Sequence, residues 1–128
     1  MNWLMLSVIM LGGALGAAAR YWLGEYLLRL LGSGIPWGTL TANMLGSFLV
    51  GLLFAWFDGR AGAAIYWRAF LIVGVLGALT TYSSLMLEAV LYSRADQGLR
   101  WLAYLILSLL LGLGLVFLGA KVGTSLRS

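Results

Sequence analysis

Residues 74–84 read Gly74-Val75-Leu76-Gly77-Ala78-Leu79-Thr80-Thr81-Tyr82-Ser83-Ser84, and they lie in the middle of an uncharged apolar run, 69–87, whose midpoint is Ala78. At about 1.5 Å rise per helical residue, such a run roughly matches a hydrocarbon core about 30 Å thick. The stretch is a poor one for a straight helix. Gly74 and Gly77 weaken it, and the hydroxyls of Thr80, Thr81, Ser83 and Ser84 compete for main-chain hydrogen bonds. Unsatisfied main-chain groups are costly in lipid, so an interrupted helix survives there only inside protein or against a polar cavity, where it offers carbonyl and N–H groups to ions. The residues predict a membrane span broken near the midplane. The stretch has two readings: a break that serves an ion site, or an ordinary membrane helix whose glycines serve packing and whose Ser and Thr bond to the carbonyl one turn back.

Outward from this stretch, three more uncharged runs appear, 1–19, 30–57 and 101–120. Trp3, Trp37, Trp56, Tyr66, Trp67, Tyr92 and Trp101 flank the runs where membrane interfaces should fall. With 62% hydrophobic and 9% charged residues and a mean hydropathy of +1.00, a soluble domain is excluded. The expectation is an all-α integral membrane protein, one domain over 1–128, with four transmembrane helices at approximately 3–31, 35–57, 67–91 and 100–120. Ala17 and Ala19 resemble a leader-cleavage pattern, but no Lys or Arg precedes Arg20, and the helix is expected to continue to about Leu31 with Glu25 and Arg29 paired across one turn. The chain has no Cys and no His, which excludes disulfides, Cys/His zinc sites and histidine proton relays. Its +4 charge is scattered between spans, so no nucleic-acid partner is expected and the basic residues act in membrane orientation.

An even number of spans puts both termini on one side. That side collects Arg60, Arg68, Lys121 and Arg127, and the other collects Arg20, Arg29, Arg94 and Arg100. A balance of four against four leaves either insertion about equally favoured, unless one strong determinant decides, and dual topology permits an antiparallel homodimer. Small residues (Gly12, Gly13, Gly16; Gly46, Gly51; Gly112, Gly119) allow helices to approach closely, so assembly is expected.

Polar residues fall in stripes at helical spacing: Asn43 and Ser47 in the second run, Tyr104, Ser108 and Gly112 in the fourth. Such a face is inter-helix glue or the wall of a narrow path. No charged residue sits mid-run, and Glu88 and Arg20 lie near the ends of theirs, so passive conduction fits better than a proton-coupled carrier.

Three stretches together resemble the Fluc (CrcB-type) family of fluoride channels: Gly12-Gly13-Ala14-Leu15-Gly16-Ala17-Ala18-Ala19-Arg20-Tyr21; Pro36-Trp37-Gly38-Thr39-Leu40-Thr41-Ala42-Asn43-Met44-Leu45-Gly46-Ser47-Phe48; and 74–85 followed by Glu88. The resemblance covers essentially the whole chain. It implies a multi-pass protein of the cell (inner or plasma) membrane, forming an antiparallel, dual-topology homodimer in the lipid bilayer. Two fluoride pores would flank a structural sodium ion (Na+) held by the carbonyls of Gly77 and Thr80. It also places Asn43, Tyr82, Ser83, Ser84, Leu85, Tyr104 and Ser108 on the pore and Arg20 at a vestibule. Neutral donors and aromatic edges suit fluoride, since a full positive charge would hold it too firmly to release. The chain departs from the family's Phe-Ser-Thr-Phe at Tyr82-Ser83-Ser84-Leu85: Tyr82 keeps a ring edge, Leu85 has none, and a weaker second station is expected. The competing classes are a small multidrug-type cation exporter and a non-conducting subunit of a heteromeric complex. No nucleophile, base and orienter share one face, so no enzyme is expected.

Overall fold

The computed structural model describes residues 1–95 and 98–128. Among these residues all regular structure is helical, with four helical segments long and apolar enough to cross a membrane: Trp3–Leu31, Trp37–Phe57, Ala64–Arg94 and Gly98–Arg127. The first begins where the Asn2 side chain accepts the Met5 N–H at 3.1 Å. It ends at Gly32, whose φ of 78° is open to glycine and lets its N–H return to the Leu28 carbonyl at 2.9 Å. Pro36 precedes the second helix, where its missing N–H costs nothing. The fourth helix continues beyond the apolar run through Lys121 to Arg127, basic residues that suit a helix C-terminus.

The third span is interrupted. Thr80 (φ −82°, ψ 153°) and Thr81 (φ −151°, ψ 118°) are extended and separate a first half, 64–79, from a second, Tyr82–Arg94. Within the first half, Ala69–Leu76 is π-helical, a wider winding that the sequence did not announce.

Glycines set the packing. The second and fourth spans make the most extensive contact, followed by the first span against the first half of the third. A Cβ on Gly12 or Gly16 would run into the Phe70 or Val75 carbonyl, and one on Gly51, Gly119 or Gly123 into the Val116, Phe48 or Leu52 carbonyl. The helix backbones therefore touch, which is how spans associate where lipid removes the hydrophobic drive. Ala42, fully buried, packs with Leu76 and Leu79 under Leu23, Leu49, Val50 and Leu53, so the second span is clamped against the residues just before the break. Side chains such as Leu15, Phe54, Leu110 and Phe117 are exposed, as a lipid-facing surface requires.

The expected Glu25 to Arg29 pair does not form. Among the described residues the ion pair is Arg127 with Asp58 at 3.6 Å, where Arg127 Nη1 also donates to the Asp58 carbonyl at 2.6 Å and ties the ends of the second and fourth spans together. An i, i+4 pair is worth only about 0.2–0.5 kcal/mol, too little to hold two long side chains in one geometry.

Candidate functional site

The site is built on the break. Thr80 closes the first half-helix twice over: its N–H and its Oγ1 both donate to the Leu76 carbonyl, at 3.0 and 2.9 Å. Thr81 opens the second, its Oγ1 accepting the Ser84 N–H at 3.1 Å. The main chain of Thr81 is satisfied by Asn43 of the second span, whose Oδ1 accepts the Thr81 N–H at 2.7 Å and whose Nδ2 donates to the Thr81 carbonyl at 3.1 Å. One carboxamide thus supplies both partners that the break removes.

Two carbonyls are released in consequence. In an unbroken helix the N–H of residue i bonds the carbonyl of i−4, so the Thr81 N–H would serve Gly77 and the Ser84 N–H would serve Thr80. Here Asn43 and the Thr81 hydroxyl take those donors. Gly77 is exposed, and a Cβ on it would meet nothing nearer than the Ile72 carbonyl at 3.7 Å. Oxygen donors without a charge fit a hard monovalent cation shared with further oxygens, so the residues present suit sodium.

A groove of about 660 Å³ runs beside the break between the second, third and fourth spans. Its walls are mainly apolar, and its polar residues include Asn43, Ser47, Tyr82 and Ser108. Ser108 is only 6% exposed, yet its Oγ lies within hydrogen-bonding geometry of no partner among the described residues. Leaving a buried hydroxyl unpaired costs about 1–3 kcal/mol. Tyr82, 76% exposed, stands at the rim, and Leu85 lines the wall.

The structure brings Asn43, Gly77, Thr80, Tyr82, Leu85 and Ser108 to this groove. Ser83, Ser84, Tyr104 and Arg20 are placed outside its lining. The exposed Ser83 hydroxyl lies 3.3 Å from Thr81 Oγ1, and Ser84 gives its N–H to that oxygen. Tyr104 is buried, and its hydroxyl donates at 2.9 Å to Oε2 of Glu88, whose Oε1 accepts from Thr39 Oγ1 at 2.6 Å. Glu88 therefore sits inside the third span with a donor on each oxygen. The sequence places it only near the end of an uncharged run. Its signal was being the lone carboxylate in that stretch, but spacing could not disclose that Thr39 and Tyr104, from two other spans, meet it. The Tyr104 ring also rests edge-on to Tyr92, centroids 6.0 Å apart, and Tyr92 reaches across to the Gly34 carbonyl at 3.2 Å.

Arg20 lies one turn beyond Gly16, which packs against Val75 and Ala78, so it is nearly level with the break and not at a helix end. It is half-buried, without a hydrogen bond or ion pair to any described residue. A guanidinium at such depth is tolerated where water or another protein surface reaches it.

Residues 7–120 match the family model described as CrcB-like protein, Camphor Resistance (CrcB). Similar proteins include one from Xylella fastidiosa (strain 9a5c), 49% identical over 121 residues that cover 94% of this chain and 85% of the relative. A protein from Xanthomonas euvesicatoria pv. vesicatoria (strain 85-10) is 48% identical over 94% of this chain and 91% of its own length. One from Agrobacterium fabrum (strain C58 / ATCC 33970) is 43% identical over 94% of this chain and 97% of its own. All three carry the name fluoride-specific ion channel FluC.

Proposed function

The chain belongs to the CrcB-like family, and from that premise we propose that it is a fluoride-selective channel letting the ion leave passively through the cell (inner or plasma) membrane. The observation that carries this reading is Ser108: a buried hydroxyl without a partner among the described residues faces a groove in the membrane, beside an interrupted helix. A small, strongly hydrated anion gives up part of its water only to donors placed in advance, and an orphaned O–H is such a donor.

Two copies inserted in opposite directions form the working unit. The open groove, the exposed Gly77 and the outward Tyr82 each call for a covering surface, and the balanced arginine and lysine tally permits the opposite insertion. A two-fold axis near Gly77 then gives two equivalent fluoride paths and brings the Gly77 and Thr80 carbonyls of both copies round one sodium ion. When bound, that ion supplies only charge and cross-linking at the centre of the dimer. Each path uses Asn43, Ser108 and the ring edge of Tyr82 as neutral stations, with Leu85 as an apolar wall. Ser83, Ser84 and Tyr104 act one layer back, through Thr81 and Glu88. Arg20 raises the local anion concentration in a water-filled vestibule. The test is efflux from liposomes holding this chain alone: fluoride release without chloride release is expected, and release of neither overturns the proposal.

A further inference from the structure

We propose that Asn43 is the positioning residue of the central cation site: by taking both main-chain groups of Thr81 it holds that residue extended and so frees the Gly77 carbonyl for the ion. The inference rests on the sodium reading above and adds to it a cause for the geometry. An extended residue points its N–H and its C=O to the same side, whereas in a helix they point in opposite directions along the axis. One carboxamide can reach both groups only in the extended case, and Asn43 does so at 2.7 and 3.1 Å. Its two bonds therefore select the broken conformation over the helical one.

The effect passes on to the second carbonyl. With Thr81 extended, its Oγ1 becomes the cap of Tyr82–Arg94 and draws off the Ser84 N–H, which a continuous helix would give to Thr80. Three hydrogen bonds thus lead from Asn43 to both oxygens offered to the cation. The second span that carries Asn43 is itself fixed. Ala42 beside it is fully buried, and Gly46, one turn on, lies against the Thr80 methyl. The carboxamide keeps one further N–H and faces the groove, so the same side chain stands between the cation site and the anion path.

The experiment follows sodium and not fluoride. Dimer purified in radioactive sodium is moved into N-methylglucamine, and both the release of label and the sodium needed for half-maximal thermal protection are measured. Asn43→Leu keeps the branched outline and removes both bonds; Thr81→Val removes the hydroxyl that holds Ser84, and Thr81→Ser keeps it. We expect Asn43→Leu and Thr81→Val to need at least about tenfold more sodium and to release label correspondingly faster, the equivalent of about 1.4 kcal/mol. Thr81→Ser, which keeps the hydroxyl for the Ser84 N–H, should hold sodium as the parent does. Should Asn43→Leu fail to assemble, Thr81→Val and Thr81→Ser carry the same comparison. Parent-like sodium retention in Asn43→Leu or Thr81→Val, or loss in Thr81→Ser equal to that in Thr81→Val, overturns the positioning role. A parent protein that neither retains sodium nor is protected by it overturns the sodium reading itself.

Discussion

Gly46→Ala is the smallest change that strikes the break without touching its hydrogen bonds. A Cβ on Gly46 would collide with the Thr80 methyl and stand 3.7 Å from Thr80 Cβ. The methyl has no easy way out. Thr80 is β-branched, and its Oγ1 is anchored on the Leu76 carbonyl at 2.9 Å, so swinging the side chain breaks a bond worth about 0.5–1.5 kcal/mol. Pushing the spans apart instead is an overpacking cost of about 1–3 kcal/mol. The cheaper route still leaves a loss of about 0.5–1.5 kcal/mol per copy, and in the proposed dimer both copies carry it. Equilibrium unfolding in detergent reads the loss. The decisive control is Gly46→Ala combined with Thr80→Ser, which removes the methyl and keeps the hydroxyl for Leu76, and which should recover most of the stability. A Gly46→Ala protein as stable as the parent would refute the steric argument, and so would a double variant no better than the single.

Ser108→Ala should separate stability from function. Removing an unpaired buried hydroxyl should leave the fold unchanged or stabilise it by up to about 1 kcal/mol, while fluoride efflux falls; a destabilised protein with normal efflux would mean that the hydroxyl is structural. Tyr104→Phe and Thr39→Val each remove one donor from Glu88, and a double-mutant cycle on unfolding should give a coupling of about 0.5–3 kcal/mol; additive losses would mean that the two hydroxyls do not share the carboxylate. Leu85→Phe puts a ring edge on the groove wall and should raise the fluoride rate in liposomes; an equal or lower rate would make a second aromatic station dispensable.

The four spans were legible because hydropathy and charge act on each segment separately, and the interruption was legible because Gly77, Thr80 and Thr81 weaken a helix by local chemistry. What the break is tied to was not. Asn43 and Ser47 read as one stripe on the second span, but only the packing of the second, third and fourth spans shows that the Asn43 carboxamide is engaged with Thr81 while Ser108 has no partner among the described residues. The π-helical turns of Ala69–Leu76 carry no sequence mark, since Phe70-Leu71-Ile72-Val73 suits any buried winding. Glu88 was undervalued for the same reason: its partners are 49 and 16 residues away. Arg20 was read as lying near the end of an uncharged run in a helix expected to reach about Leu31; the sequence could not show that Gly16, one turn before it, packs against Val75 and Ala78 and so brings it nearly level with the break.

The claim on which the rest depends is that the broken span faces its twin in a copy inserted the other way up. The chain has no cysteine, so a spin label on the single substitution Ser125→Cys, at the exposed end of the fourth span, reports one distance between two copies. Electron–electron distance measurement in a bilayer should give about 30 Å or more, the thickness that separates opposite ends of antiparallel spans. A distance well below the bilayer thickness, with both labels on the same side, would contradict the account.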